Sequence, residues 1–158
     1  MESTTKCYKH IFVVTDAFTK FVWLYPTKGT TTKEVLDKLH IQQKTFGSPE
    51  NIITDRGTAF TSEEFKEYCN INQIRHHCVT TRLPRANGQV ERINSIVIAV
   101  LTKLSLDKPA DWYKHIDKVQ RAINSTYQRS ISTSPYKLLL GVRMKDRNLQ
   151  TIYDFIEE

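Results

Sequence analysis

Two acids stand out by type and place in this chain of 158 residues, Asp55 and Glu91. Asp55 closes the apolar run Asn51 to Asp55 (NIITD), which is too short for a helix and fits a buried strand. In open α/β sheets ligands gather at the carboxyl ends of strands, so an acid ending such a strand projects where a ligand would sit. Glu91 opens a helix on which Ile93, Val97, Val100, Leu101 and Leu104 recur at three- and four-residue steps. At about 100° per residue Glu91 falls opposite the centre of that stripe, beside Asn94 and Ser95, and so faces outward. Each acid also has an ordinary reading. Asp55 suits an Asx-type turn, and Glu91 suits the first turn of a helix, where the dipole favours a carboxylate.

Two other groups invite chemistry. His76, His77 and Cys78 carry metal-binding atoms, but they are consecutive on an expected strand. Neighbours there point to opposite faces and cannot converge, so no zinc site is expected. On an expected helix from Ala110 to about Tyr127, Trp112, Ile116, Val119 and Ile123 share one face, with Lys114, Lys118 and Arg121 opposite. That basic stripe suits phosphates, or is a plain solvated face.

The elements that must position these residues follow from pattern. Tyr8 to Thr15 (YKHIFVVT) and Phe21 to Pro26 (FVWLYP) read as antiparallel strands around a turn at Asp16 to Lys20, with Pro26 at or beyond the strand end. Thr31 and Glu34 form a capping-box pattern that opens a helix to Phe46, stopped by Gly47. A second such pattern, Thr61 and Glu64, opens a helix to Asn70, and Ile74 to Val79 reads as a further strand. Thr80 to Gln89, with Pro84, Asn87 and Gly88, reads as a loop, followed by a helix from Val90 to Leu106. Ser134-Pro135 opens a last short helix that Gly141 ends. The alternation predicts an α/β fold with a mixed sheet flanked by helices, in one domain.

Composition narrows the function classes. Apolar residues make up 39% and charged residues 25%, as in an ordinary globular protein. No apolar run is long enough for a membrane span, and the N-terminus lacks the apolar stretch of a secretory signal, so no membrane partner is expected. Three scattered cysteines predict neither a disulfide framework nor a zinc finger and point to a reducing, intracellular compartment. The net charge of +6 is concentrated in residues 101 to 147, with ten Lys and Arg against four Asp. Such a surface suits a polyanion such as nucleic acid.

The segments around the two acids carry a resemblance. Thr54 to Ser62 (TDRGTAFTS) and Leu83 to Asn94 (LPRANGQVERIN) closely resemble the second and third active-site segments of retroviral and retrotransposon integrases. The 35 residues between Asp55 and Glu91 match the family's spacing. Asp16 to Pro26 (DAFTKFVWLYP), Trp112, Asn124 and Ser134-Pro135-Tyr136 to Gly141 are similar to the matching parts of gypsy-like LTR-retrotransposon cores. The likeness covers about residues 6 to 142.

The resemblance implies a ribonuclease-H-like, three-layer fold performing polynucleotidyl transfer, the joining of element DNA ends to target DNA. It implies a core domain over residues 1–145 with a tail at 146–158. Asp55 and Glu91 would be two of three carboxylates holding two Mg²⁺ (or Mn²⁺) ions, one activating the attacking oxygen and one stabilising the leaving oxygen. Hard cations take oxygen ligands, in keeping with Asp and Glu. Arg82, Arg85, Asn87, Gln89, Arg92 and Asn94 would face DNA, on and beside a loop that in the family approaches substrate ends. Some family members carry Lys beside the catalytic Glu, where this chain has Ser95 and Ile98. The implied partners are element and target DNA and further copies of the chain, as a homodimer or higher, with a nuclear location.

The family's first aspartate lies on a strand upstream of a stretch like Met1 to Lys9, so the first strand and first acid are expected to be missing here. Asp16 falls in the hairpin turn and reads as a turn residue, and Glu2 lies in a frayed end. Strand transfer by these residues alone is expected to be weak or absent. The competing readings are a catalytically incomplete remnant acting as a DNA-binding or dimerisation module, and a ribonuclease-H-like nuclease or bacterial-type transposase. The closing Ser134-Pro135 and Gly141 favour the retrotransposon branch.

Overall fold

The computed structural model describes residues 7–79, 84–145, 149, 152–153 and 156, with the backbone alone at 84–89. In chain order the elements are β1 (His10–Thr15), β2 (Val22–Thr27), α1 (Thr32–Phe46), β3 (Asn51–Thr54), α2 (Thr58–Thr61), α3 (Glu63–Ile71), β4 (Arg75–Cys78), α4 (Pro84–Leu104), α5 (Ile116–Ser125) and α6 (Pro135–Leu140). Short 3-10 helices at Pro109–His115 and Arg129–Ile131 flank α5. The α/β class is as expected, with both antiparallel and parallel pairing. The described strands form two two-stranded ladders, β1 with β2 and β3 with β4. The chain divides into two compact units, Met1–His10 with Thr27–Gly88, and Ile11–Pro26 with Gln89–Glu158.

The first unit is built on the parallel pair β3 and β4, in register from Asn51 opposite Arg75 to Thr54 opposite Cys78. Its interior comes from Val35, Leu36 and Leu39 of α1, Ala59 of α2, Phe65, Tyr68 and Cys69 of α3, and Ile74. The Thr31 side chain accepts the Glu34 N–H, as the capping pattern predicts. The Glu34 carboxylate accepts the Lys28 N–H at 2.8 Å. Gly47 ends α1 at a φ of 81°, which favours glycine. Two expectations are corrected. Ser62, not Thr61, caps α3, accepting the Phe65 N–H at 3.2 Å, because Thr61 is already wound into α2. And β3 is only half covered. Its one described ladder partner is β4, and Ile53 on the outer face is 54% exposed.

The second unit holds most of the β1–β2 hairpin. Bonds from Lys9 N–H to the Thr27 carbonyl (3.0 Å) and Asp16 N–H to the Phe21 carbonyl (2.9 Å) make the pair antiparallel. Asp16 is the turn residue expected, since its Oδ2 accepts the Thr19 N–H at 2.7 Å and the Thr19 hydroxyl at 2.6 Å. The far edge of β2 is closed by α5. Asn124 accepts the Val22 N–H and donates to the Val22 carbonyl, both at 2.8 Å, and Gln120 accepts the Leu24 N–H at 2.7 Å. Two amide side chains one helical turn apart thus replace a neighbouring strand.

This edge explains a further correction, because Pro26 lies inside β2 and not at or beyond its end. It shares parity with Val22 and Leu24, so its missing N–H falls on the side away from β1 and breaks no bond of that ladder. The unit's core gathers Val22 and Leu24, Ile93, Val97, Val100 and Leu101 of α4, and Ile116, Val119, Ala122 and Ile123 of α5. Leu149 and Ile152 join the same cluster, so the segment set apart as a tail supplies core side chains.

Two helix boundaries also move. Residues 84–89 are helical, where the sequence predicts a loop, because α4 starts at Pro84. Proline fits a first helical position, having a preset φ and no N–H to leave unpaired. And the helix expected from Ala110 is a 3-10 segment as far as His115, becoming α-helical at Ile116.

Candidate functional site

Asp55 sits one residue beyond β3, where the parallel ladder makes its last bond, Val79 N–H to the Thr54 carbonyl at 2.9 Å. The carbonyl of Asp55 then accepts two side-chain donors, the Thr54 hydroxyl at 2.8 Å and the Cys78 thiol at 3.1 Å. Its Oδ1 accepts the Gly57 N–H at 2.9 Å, the Asx turn anticipated from the sequence. Gly57 makes room for this bond, since a Cβ there would stand 3.0 Å from that same oxygen and press on it. Among the described residues no bond reaches Oδ2, and the residue is exposed. The carboxylate is therefore oriented by its own turn.

Behind the turn, His76 Nε2 lies 2.8 Å from Thr54 Oγ1. Its ring meets the buried Phe65 edge-on, with centroids 4.9 Å apart. Burial, and secondarily the neighbouring His77, pushes the His76 pKa below its ordinary value. His77 faces the other way and meets Asn51 Oδ1 at 3.1 Å, as alternation along a strand requires. Among the described residues no three His, Cys, Asp or Glu side chains gather closely enough to hold a metal.

Glu91 lies on α4 in the second unit, exposed, beside exposed Arg92 and Asn94. Ile93, Val97, Val100 and Leu101 are buried, so the outward placement of Glu91 is as predicted. Its place along the helix is not. With α4 beginning at Pro84, Glu91 lies in the second turn, beyond the strongest reach of the helix dipole. Ser95 donates to its carbonyl at 3.0 Å, and Ile98 on the same face is 64% exposed. Arg85, Asn87 and Gln89 stand on helical backbone, their side chains lying outside the described set, and Arg82 lies wholly outside the described residues. On α5, Lys118 and Arg121 are exposed opposite the buried face. Lys114, in the preceding 3-10 helix, pairs with Asp111 at 2.8 Å.

The sequence reading missed the donors that fix Asp55, namely Thr54, Cys78 and, through Thr54, His76. The parity of β4 puts His76 and Cys78 on one face, but pairing them with Thr54 needs the strand register. It also missed why Asn124 matters, because only the fold reveals that it closes the edge of β2.

Solved structures define the class. The chain is similar to the integrase catalytic core of human T-cell lymphotropic virus HTLV-2 in complex with magnesium, in its trimeric form. The TM-score is 0.67 and identity 28%, over 80% of this chain and 82% of that one. It is similar too to the simian T-cell lymphotropic virus intasome in complex with a PP2A regulatory subunit, with TM-score 0.69 and 26% identity over 86% of this chain and 50% of that one. The fold is thus that of retroviral integrase catalytic cores, and it is ribonuclease-H-like, as the resemblance implies. Within that class the chain belongs to the integrase core domain family, whose model matches residues 1–84. It is 39% identical over 135 residues to the Pro-Pol polyprotein of feline foamy virus, and 30% identical over 135 residues to the transposon Tf2-3 polyprotein of Schizosaccharomyces pombe. Those stretches cover 85% and 84% of this chain but only 12% and 10% of the polyproteins.

Proposed function

We propose that this chain is the core of an enzyme that joins the ends of a mobile element's DNA to target DNA by polynucleotidyl transfer. The observation that carries the reading is the Asp55 turn. In a member of the integrase core family, a strand-end carboxylate has one oxygen tied to the Gly57 N–H and the other open to solvent. Exposed carboxylates offer the oxygen donors that hard divalent cations take, so Asp55 and Glu91 fit Mg²⁺ or Mn²⁺ in kind. Such ions supply charge stabilisation to phosphoryl transfer.

The chain's own residues would do the rest. Asp55 and Glu91 would hold the ions, and Arg82, Arg85, Asn87, Gln89, Arg92 and Asn94 would bind the DNA backbone and ends. Ile98, an apolar residue on the Glu91 face, adds no charge to that grip. Magnesium in the HTLV-2 core, and the dimeric and trimeric forms in which that core was solved, support metal use and self-association here. Target joining requires access to chromosomal DNA, so a nuclear location belongs to the proposal. Among the described residues no helix is long and apolar enough to cross a membrane. We take residues 1–145 as the catalytic core, with 146–158 as a C-terminal segment that contributes Leu149 and Ile152 to its packing.

The test combines binding and joining. Mn²⁺ should broaden the amide resonances of residues 54–56 and 90–92, with Asp55→Asn and Glu91→Gln each abolishing the effect at their own segment. Joining of a duplex with free 3′-hydroxyl ends to a target duplex should be removed by Asp55→Ala. Mn²⁺ binding that ignores both substitutions, or joining that survives them, overturns the reading.

A further inference from the structure

We propose that His76 is a positioning residue for Asp55, acting through Thr54 to fix the peptide from which the carboxylate projects. The inference rests on the reading of Asp55 as a metal-binding acid and extends it to a residue on the neighbouring strand.

The geometry is a directed chain. The Thr54 hydroxyl owns one proton and gives it to the Asp55 carbonyl at 2.8 Å. Its approach to His76 Nε2, also 2.8 Å, must then use the hydroxyl oxygen as acceptor, so Nε2 carries the proton. The order is His76 Nε2–H to Thr54 Oγ1–H to the Asp55 carbonyl. The parallel register supplies the pieces, because Thr54 lies opposite Cys78 and His76 stands two residues before Cys78 on the same face. Cys78 completes the clamp with its thiol on the same carbonyl, at 3.1 Å.

The anchor of the chain is rigid. The imidazole packs edge-on against Phe65, which is fully buried, so the ring's direction is set by the core of the unit. The Asp55 residue is thereby held at two points, its peptide by Thr54 and Cys78 and its Oδ1 by the Gly57 N–H. Both points must hold for Oδ2 to keep one direction. A metal-binding carboxylate gains affinity when hydrogen-bonded neighbours fix its orientation before the ion arrives. A purely structural His76 would need only its contact with Phe65. A positioning His76 also needs its N–H.

That difference sets the experiment. Mn²⁺ affinity is measured on the intact chain from broadening of the 54–56 amides, for wild type, His76→Phe, His76→Gln, Thr54→Val and the double variant His76→Phe/Thr54→Val. His76→Phe keeps a ring against Phe65 without the donor, and His76→Gln restores an N–H donor without the ring. His76→Phe and Thr54→Val should each weaken binding by about tenfold, the double variant no further, and His76→Gln should recover most of the loss. Affinity for His76→Phe within twofold of wild type, or equal losses for Phe and Gln, overturns the proposal. If Asp55→Asn binds Mn²⁺ as wild type does, the metal reading has failed, and the positioning is read without metal from hydrogen exchange of the Gly57 amide. Protection there should fall several-fold in His76→Phe and return in His76→Gln, whereas equal protection in all three proteins overturns it.

Discussion

At the scale of single residues the site is defined by what surrounds Asp55 more than by the acid itself. An aspartate followed two residues later by glycine is a common turn, and the sequence showed that much. What it could not show is that the glycine's missing side chain leaves room for the carboxylate. At Gly57 the backbone φ is −56°, open to any residue, yet a Cβ would press on Asp55 Oδ1 at 3.0 Å and on the Phe60 ring at 3.4 Å. Gly57→Ala should therefore displace the carboxylate by a few tenths of an ångström and cost about 1 kcal/mol of stability. Urea unfolding reads the second effect and Mn²⁺ titration the first. An alanine variant with unchanged metal affinity would mean that the turn has room to spare.

His76 makes a second prediction at this scale, through pH. Burial holds its pKa below the ordinary 6.5, so the unfolded chain binds the proton more readily than the folded one. Stability from the neutral ring is complete above pH 6.5 and is lost as the pH falls toward and through the lower folded value. The urea midpoint of wild type should drop between pH 7 and pH 5 more than that of His76→Gln, which keeps a donor but cannot titrate. Parallel pH profiles for the two proteins would show that His76 titrates alike in both states.

At the scale of elements, the sequence was legible wherever periodicity and punctuation agreed. The apolar stripe of α4, the Thr31 cap, Gly47, and the Ser134-Pro135 start of α6 all stand where pattern puts them. It misled where one residue type serves two purposes. Pro84, Asn87 and Gly88 read as loop, yet proline also suits a helix start, and a 21-residue helix absorbs the penalty of about 1 kcal/mol for one glycine. Pro26 reads as a strand end, yet an edge position tolerates it once the missing donor faces away from the ladder.

That edge is where an element-scale test belongs. Asn124 is 1% exposed and satisfies both polar groups of Val22, while Gln120, on the same face, satisfies one group of Leu24 and is only half-buried. Asn124→Ala strands two buried backbone groups at about 1–3 kcal/mol each, so a loss of about 2–6 kcal/mol is expected. Gln120→Ala lets water reach its group and should cost about 1 kcal/mol or less. Equal losses from the two in urea unfolding would mean that α5 guards the strand edge by packing and not by its amides.

At the scale of the whole molecule, charge organises the expectations about DNA. The net +6 is not spread evenly, and its densest stretch runs from residue 101 to residue 147, through α5 and α6. The position of a cation in the sequence, however, does not say whether it is available to a phosphate. Lys114 lies within 2.8 Å of the Asp111 carboxylate, which raises its own pKa and lowers that of Asp111, so much of its charge is already answered. Lys118, one turn further along on the exposed face, has no such acid three residues before it. Each phosphate that a cation neutralises releases counterions and adds about 0.9 to the slope of log affinity against log salt for duplex DNA. Lys118→Gln should lower that slope by close to one unit and weaken binding uniformly across DNA sequences. Lys114→Gln should change it by much less, because its removal also frees Asp111. Fluorescence anisotropy of a labelled duplex between 50 and 200 mM salt reads both slopes. If Lys118→Gln leaves the slope where it was, the stripe on α5 is a solvated face and takes no part in binding.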